Sequence, residues 1–179
     1  MNIMISHPSP IKSARNLCLV HVNKQLQEGC QLLANAHHVE GTATSGRLCA
    51  PVQVNHPCSV WVRESKEHYR WLASHVLELF KLWREHSGKV HDYAKWFKHL
   101  RRNVPASLPD SKLVWPSPST LAEWTGRNYL EDCFTTYQRY LSWKYDEWQT
   151  RTSKRRIAVK FLNGKTPAYY LHFTTLEAV

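Results

Sequence analysis

Six polar side chains recur at helical spacing in the first third of the chain. They follow one another at intervals of 3, 4, 3, 4 and 3 residues: His21, Lys24, Glu28, Gln31, Asn35 and His38. Residues at this spacing lie on one face of an α-helix. The set holds one carboxylate, one ammonium group, two imidazoles and two amides, which suit proton transfer and hydrogen bonding. We interpret this polar stripe as a candidate active site; the alternative is the solvated face of an amphipathic helix.

The helix that carries the polar stripe is predicted to span about residues 13–38. An apolar stripe repeats along it at the same spacing: Leu19, Val22, Leu26, Gly29, Leu33 and Ala36. The two stripes are offset by two residues, about 200° around a helix, so the polar stripe should face away from the core. Pro8 and Pro10 are expected to prevent an earlier helix, and residues 40–56 are predicted to form a loop.

Three further helices are predicted after this loop. The second helix begins at Pro57 and continues to about residue 86, and a shorter basic helix covers about residues 91–102. Residues 103–119 contain four prolines and form an irregular connection. Thr120 and Glu123 resemble a capping box that opens the fourth helix.

The segment from about residue 153 is predicted to be either a hairpin around Asn163 and Gly164 or a basic arm. We therefore expect a mainly α fold, a compact single-domain bundle of three to four helices with long loops and a basic C-terminal tail. Residues 1–152 would form a helical domain, and residues 153–179 a basic extension packed on or flanking it.

Composition restricts the function classes. Lys and Arg number 24 against 14 Asp and Glu, and the net charge of +10 favours an anionic partner, most often nucleic acid. The sequence contains no run of 18 apolar residues, so no membrane span is predicted. The first ten residues lack the features of a signal peptide. The five cysteines include no CxxC pair, and we expect them to be free thiols in a reducing cytosol. Without a zinc, calcium, P-loop or GxGxxG motif, we expect no metal and no nucleotide cofactor.

Basic side chains gather in two further regions, about residues 81–102 and 151–165, with aromatic residues such as Trp96, Trp143 and Tyr169 among or near them. Cations bind phosphates and aromatic rings stack on bases; the alternative is a solvated basic face with core-facing tryptophans. The residues that we expect to contact DNA are Lys24, Gln31, His38, Lys89, His91, Arg101, Arg102, Arg139, Lys144, Arg155 and Arg156.

Two motifs resemble those of a known family. The first is L-x(3)-H-V-x(5)-E, from Leu17 through His21 to Glu28, behind a start of Met, a polar residue and Ile. The second is Asn55-His56-Pro57-Cys58, which opens the second helix. With this order the chain resembles the pyrimidine dimer DNA glycosylases of the phage endonuclease V type, and uncharacterised phage proteins grouped with them. The resemblance covers roughly the first half of the chain.

The resemblance implies a small, mainly helical, metal-free enzyme that bends duplex DNA and expels a base from the stack. In this family the N-terminal amine attacks C1′ of the damaged nucleotide, a Schiff base forms, and β-elimination cuts the strand. Glu28 stands at the position of the essential glutamate, and His21 and His56 stand where the family keeps histidines near the sugar and phosphates. The implied catalytic residues are Met1, Asn2, His21, Glu28 and His56.

The chain departs from the family pattern at three positions. Asn2 follows the initiator methionine where the characterised enzyme has a threonine, so the candidate amine is that of Met1, with Lys24 as a second candidate. Gln27 and Gln31 stand where the family has arginines. These departures favour one alternative, a non-catalytic nucleic-acid-binding protein; another is a phage protein that binds and antagonises a host factor.

The expected partner of the enzyme is double-stranded DNA, with no membrane partner. We expect a monomer in the cytoplasm, which would be the host cytoplasm for a viral protein.

Overall fold

The computed structural model describes residues 2–44, 46–116 and 132–170, and over these ranges the protein is mainly α-helical with no β-strand. Six α-helices follow one another along the described chain: α1 Pro10–Arg15, α2 Leu19–Val39, α3 Pro57–Arg63, α4 Lys66–Ser87, α5 Ala94–Arg102 and α6 Cys133–Thr150. The mainly α class predicted from the sequence is confirmed. Within these ranges, no helix combines the length and the apolar character that crossing a membrane requires.

Helix α2 lies at the centre and contacts α3, α4 and α5. It approaches α4 closely at Gly29, where an added Cβ atom would lie 2.4 Å from Cγ2 of Val76. The absence of a side chain at this position therefore permits the helix crossing. The predicted apolar stripe of α2 packs here, with Val22, Leu26 and Leu33 all buried.

The predicted first helix is divided into α1 and α2. Ser9 caps α1 by accepting a hydrogen bond from the backbone N–H of Lys12, and Pro10 takes the first helical position. The expectation that the prolines prevent an early helix is wrong, because a proline at this position forfeits no helical hydrogen bond. Cys18 then caps α2 with an extended backbone and donates its N–H to the Tyr145 hydroxyl at 3.1 Å. A contact with distant α6 thus accompanies the break.

The predicted second helix is likewise divided, into α3 and α4. Ser65 stands at the break with an extended backbone and accepts a hydrogen bond from the N–H of Glu67 at 3.0 Å. Its hydroxyl also donates to the carbonyl of Ser111 at 2.8 Å. Ser65 fits the helical spacing of its neighbours, but its hydroxyl starts a new helix instead of continuing the old one.

The predicted start of the fourth helix, at Thr120 and Glu123, lies outside the described residues. Helix α6 follows Asp132, whose carboxylate accepts hydrogen bonds from the N–H groups of Phe134 and Thr135. Three bonds at one N-terminus match the cap preference of aspartate.

Several residues of the segment 153–170 contact the helices. The N–H of Ile157 donates to the carbonyl of Trp148, and the carbonyl of Lys160 accepts from the N–H of Leu19. The hairpin predicted around Asn163 and Gly164 is wrong: Leu162–Gly164 form a 3-10 turn, and no strand flanks it in the described chain. The domain boundary expected at residue 152 stays a prediction.

Candidate active site

The carboxylate of Glu28 is held against the first residues of the chain by one amide side chain. Gln25 Nε2 donates to Glu28 Oε2 at 3.0 Å and to the carbonyl of Asn2 at 2.7 Å. Gln25 Oε1 accepts the N–H of Met4 at 3.1 Å, so the buried amide uses both ends. We call this arrangement of Asn2, Met4, Gln25 and Glu28 the Gln25 clamp. It fixes the opening segment of the chain beside the only carboxylate of the polar stripe.

The electrostatic setting of Glu28 suits a proton acceptor. Its side chain is 16% exposed, and Lys24 Nζ lies 3.9 Å from Oε1. Burial raises the pKa of Glu28, against the charge of Lys24 and a hydrogen bond from the backbone N–H of Asn2, which both lower it. Because burial is the largest of these effects, the carboxylate is more basic than an exposed glutamate. Met1, the predicted source of the reacting amine, lies outside the described residues.

His21 lies in the core. It is 3% exposed, and Nδ1 is 3.1 Å from the hydroxyl of Tyr145. Its ring centroid is 4.8 Å from that of Trp148, so α6 covers the start of α2 at this point. Burial, together with the charges of Lys24 and Lys144, lowers the pKa of His21 to about 3. A neutral, covered imidazole can position α6 on α2, but the predicted contact with a sugar or phosphate would require α6 to move.

The far end of the polar stripe anchors neighbouring segments. Asn35 Nδ2 donates to the carbonyl of Val52 at 2.7 Å and to the hydroxyl of Ser59 at 3.0 Å. His38 Nε2 is 2.9 Å from the carbonyl of Cys49. These contacts attach the loop after α2, and the start of α3, to the helix. The expectation that the whole stripe faces away from the core is therefore wrong, because Asn35 and His21 are buried.

Three members of the polar stripe, Lys24, Glu28 and Gln31, keep access to solvent between these buried ends. Gln31 Nε2 donates to the hydroxyl of Tyr93 at 3.3 Å, next to the start of α5. The accessible part of the stripe therefore runs from the Gln25 clamp toward the basic helix.

His56 caps α3. Its Nδ1 accepts the backbone N–H of Cys58 at 3.2 Å, and the side chain is half-buried. Burial lowers the pKa of His56. Because Nδ1 is the acceptor, the neutral ring carries its proton on Nε2, which leaves an N–H donor for a ligand.

Most of the predicted DNA-contacting residues lie on the surface. Seven are exposed: Lys24, Lys89, Arg101, Arg102, Arg139, Arg155 and Arg156. Gln31, His38, His91 and Lys144 are partly buried. His91 Nε2 is 3.1 Å from Oδ1 of Asn23 on α2, so the segment that precedes α5 touches the helix that carries Glu28. The charge of Lys144, on α6, contributes to the lowered pKa of His21.

Gln25 is the functional candidate that sequence reasoning missed. It lies beside the polar stripe rather than on it, and its partners include backbone atoms of residues 2 and 4. Helical spacing carries no signal for contacts with a segment more than twenty residues away.

Within the described ranges, no group of three or more His, Cys, Asp or Glu side chains is arranged to hold a metal ion. Comparisons with protein-family models, with curated proteins and with solved structures found no match. The family resemblance carried by the two motifs stays a prediction.

Proposed function

We propose that the protein is a metal-independent DNA glycosylase and abasic-site lyase that acts on damaged or modified pyrimidines in duplex DNA. The observation that carries the proposal is the Gln25 clamp, which holds the carboxylate of Glu28 against the first residues of the chain. A carboxylate beside an amine nucleophile is the pairing that Schiff-base chemistry at a sugar requires.

In the proposed reaction, the neutral amine of Met1 attacks C1′ as the bond from C1′ to the base breaks. The bonding electrons leave with the base, which takes up a proton. The amine then loses its proton, and the sugar ring opens to give the Schiff base. An α-amino group has a pKa of about 7.7–8.0, so a useful fraction is nucleophilic near neutral pH.

Glu28 has two roles in this scheme. Its negative charge stabilises the positive charge that develops at the sugar, and a partly dry site strengthens that effect. Its raised pKa also suits it to accept a proton during the elimination step. Removal of a proton from C2′ then forms a double bond, and the 3′ phosphate leaves with the electrons of its bond to carbon.

The surface around the Gln25 clamp is suited to duplex DNA. Lys24 and Gln31 lie along the part of α2 that solvent reaches. His91 contacts the same helix, because its Nε2 lies 3.1 Å from Oδ1 of Asn23. A cation such as Lys24 binds backbone phosphates and supplies affinity that depends on salt, and the amide of Gln31 and the imidazole of His91 can form hydrogen bonds with them. Expelling a damaged base costs less than expelling a paired one, which favours a lesion as the substrate.

A second candidate function is that of a non-catalytic nucleic-acid-binding protein. Two observations favour it: His21 is enclosed by α6, and Gln27 and Gln31 replace the arginines of the family pattern. On this alternative, Glu28 is dispensable for binding and no covalent intermediate forms.

The test is borohydride trapping with duplexes that carry a cyclobutane pyrimidine dimer or an abasic site, in the presence of EDTA. Wild type is compared with Glu28→Gln, with an N-terminally acetylated form, and with Glu64→Gln, which removes an exposed carboxylate elsewhere. We expect an adduct with wild type and Glu64→Gln, and none with Glu28→Gln or the acetylated form.

Other outcomes separate the alternatives. Trapping on the abasic duplex alone would indicate lyase chemistry without dimer recognition, and modified pyrimidines would be screened next. No adduct on either duplex, with binding that weakens steeply with salt, would refute the enzyme and favour the non-catalytic binder.

A further inference from the structure

A pocket of about 430 Å³ lies between α5 and the loop that follows α2. Its side-chain lining consists of Arg47, Lys95, Lys98, His99, Arg102 and Asn103. Among the residues that the structure describes, no Trp, Tyr or Phe lines the pocket, and neither does any Asp or Glu. A lining of this kind suits an anion and offers no aromatic platform for a nucleobase.

The spacing along α5 explains why three of the cations meet. Lys95, Lys98 and Arg102 stand at positions i, i+3 and i+7, so they share one face of the helix. The other face is fixed in the core by Phe97 and Leu100, which are buried. Burial of those apolar groups thus presents the basic face toward the pocket.

Arg47 approaches from a segment about fifty residues earlier in the chain. The loop turns at Gly46, whose φ of 74° lies in the left-handed region that favours glycine. The N–H of Arg47 donates to the carbonyl of Thr44 at 3.1 Å, and His38 holds the same loop at Cys49. Two separate segments are therefore built to bring their cations together.

The four cations of the pocket form no ion pair with a carboxylate among the described residues. Elsewhere the chain neutralises such groups, as where Glu78 pairs with Arg15 and Lys81. Like charges that converge without a counterion repel one another, and a bound anion relieves that repulsion.

His99 adds a hydrogen-bond donor, and Asn103 holds its ring. Asn103 Nδ2 donates to the carbonyl of His99 at 2.8 Å and lies 3.2 Å from its Nδ1. With Nδ1 as the acceptor, the neutral ring of His99 carries its proton on Nε2. An N–H donor beside guanidinium and ammonium groups is the combination that binds phosphate oxygens.

We propose that this pocket binds a compact oligophosphate, either free or as the phosphate tail of a nucleotide. One phosphate monoester carries a charge of about −1.5 to −2 at pH 7 and would offset about half of the four positive charges. Linked phosphates offset the rest within one pocket, whereas a DNA strand carries one charge per phosphate along an extended path. The proposal goes beyond the glycosylase function and does not depend on Glu28.

The test is isothermal titration calorimetry with tripolyphosphate as the ligand. Arg102→Ala and Lys98→Ala remove pocket cations, and Arg101→Ala is the matched control, because Arg101 is exposed on the same helix and lies outside the lining. We expect one binding site, weakened about tenfold by each pocket variant and less than about twofold by the control. Circular dichroism melting verifies that each variant is folded.

A nucleoside triphosphate that binds about as tightly as tripolyphosphate would support the proposal, because the base then contributes nothing. Equal weakening by Arg101→Ala and Arg102→Ala would overturn it, since the basic surface would then act without a defined pocket. Absence of tripolyphosphate binding would also overturn it, and a selective loss of duplex affinity in Arg102→Ala would then assign the pocket to the path of DNA.

Discussion

Replacing Gly29 with alanine tests the crossing of α2 and α4 on which the candidate site is built. The new Cβ would lie 2.4 Å from Cγ2 of Val76, about 1 Å inside the closest ordinary van der Waals contact. Val76 is fully buried, and a β-branched side chain in a helix has one strongly preferred rotamer, so it cannot turn away.

The magnitude follows from two opposing effects. Overpacking a core costs about 1–3 kcal/mol, and this overlap belongs at the upper end of that range. Alanine recovers up to about 1 kcal/mol because glycine is a poor helix former. We therefore expect Gly29→Ala to lower the free energy of unfolding by about 2 kcal/mol and the melting temperature by about 4–8 °C.

The assay is thermal and urea unfolding of Gly29→Ala, Val76→Ala and the double variant. Val76→Ala removes the clashing methyl group, so alanine at position 29 should be neutral or stabilising in that background. A melting temperature of Gly29→Ala at or above that of wild type would refute the described helix crossing. Equal destabilisation in both backgrounds would show that the cost does not come from Val76.

Two further predictions concern titratable groups. Folding raises the pKa of Glu28, so ionisation of this carboxylate at neutral pH opposes folding. Glu28→Gln should therefore leave the melting temperature at pH 7 unchanged or raise it while abolishing the trapped adduct; a lowered melting temperature would indicate a structural role. His75 is buried against Trp71 with Nδ1 3.1 Å from the carbonyl of Pro10, and burial lowers its pKa from 6.5 to about 4. The unfolded chain therefore binds the proton first as pH falls, and His75 contributes a loss of stability of about 2 kcal/mol by about pH 5. Urea unfolding between about pH 7 and pH 5 should show a shallower decline for His75→Phe, and an unchanged slope would contradict this origin.

Local sequence signals identified the helical regions and several of their ends. The apolar stripe of α2 is buried as its spacing predicts, and the basic helix and the helix starting at Pro57 both form. The breaks at Cys18 and Ser65 were not predicted, because each residue lies within a segment whose overall spacing predicts one continuous helix. At each break the residue also contacts a partner distant in the chain, Tyr145 in one case and Ser111 in the other.

The candidate site was also predicted only in part from the sequence. Sequence alone put His21, Glu28 and Asn35 on one face of one helix, because a period of 3.6 residues determines which side chains share a direction. It did not determine what covers that face: α6 encloses His21, the loop and α3 bind Asn35, and solvent reaches Glu28. The Gln25 clamp and the pocket at Arg47 likewise join segments separated by tens of residues. Such contacts arise only when the chain packs, since each depends on where a second segment lies and not on the spacing within the first.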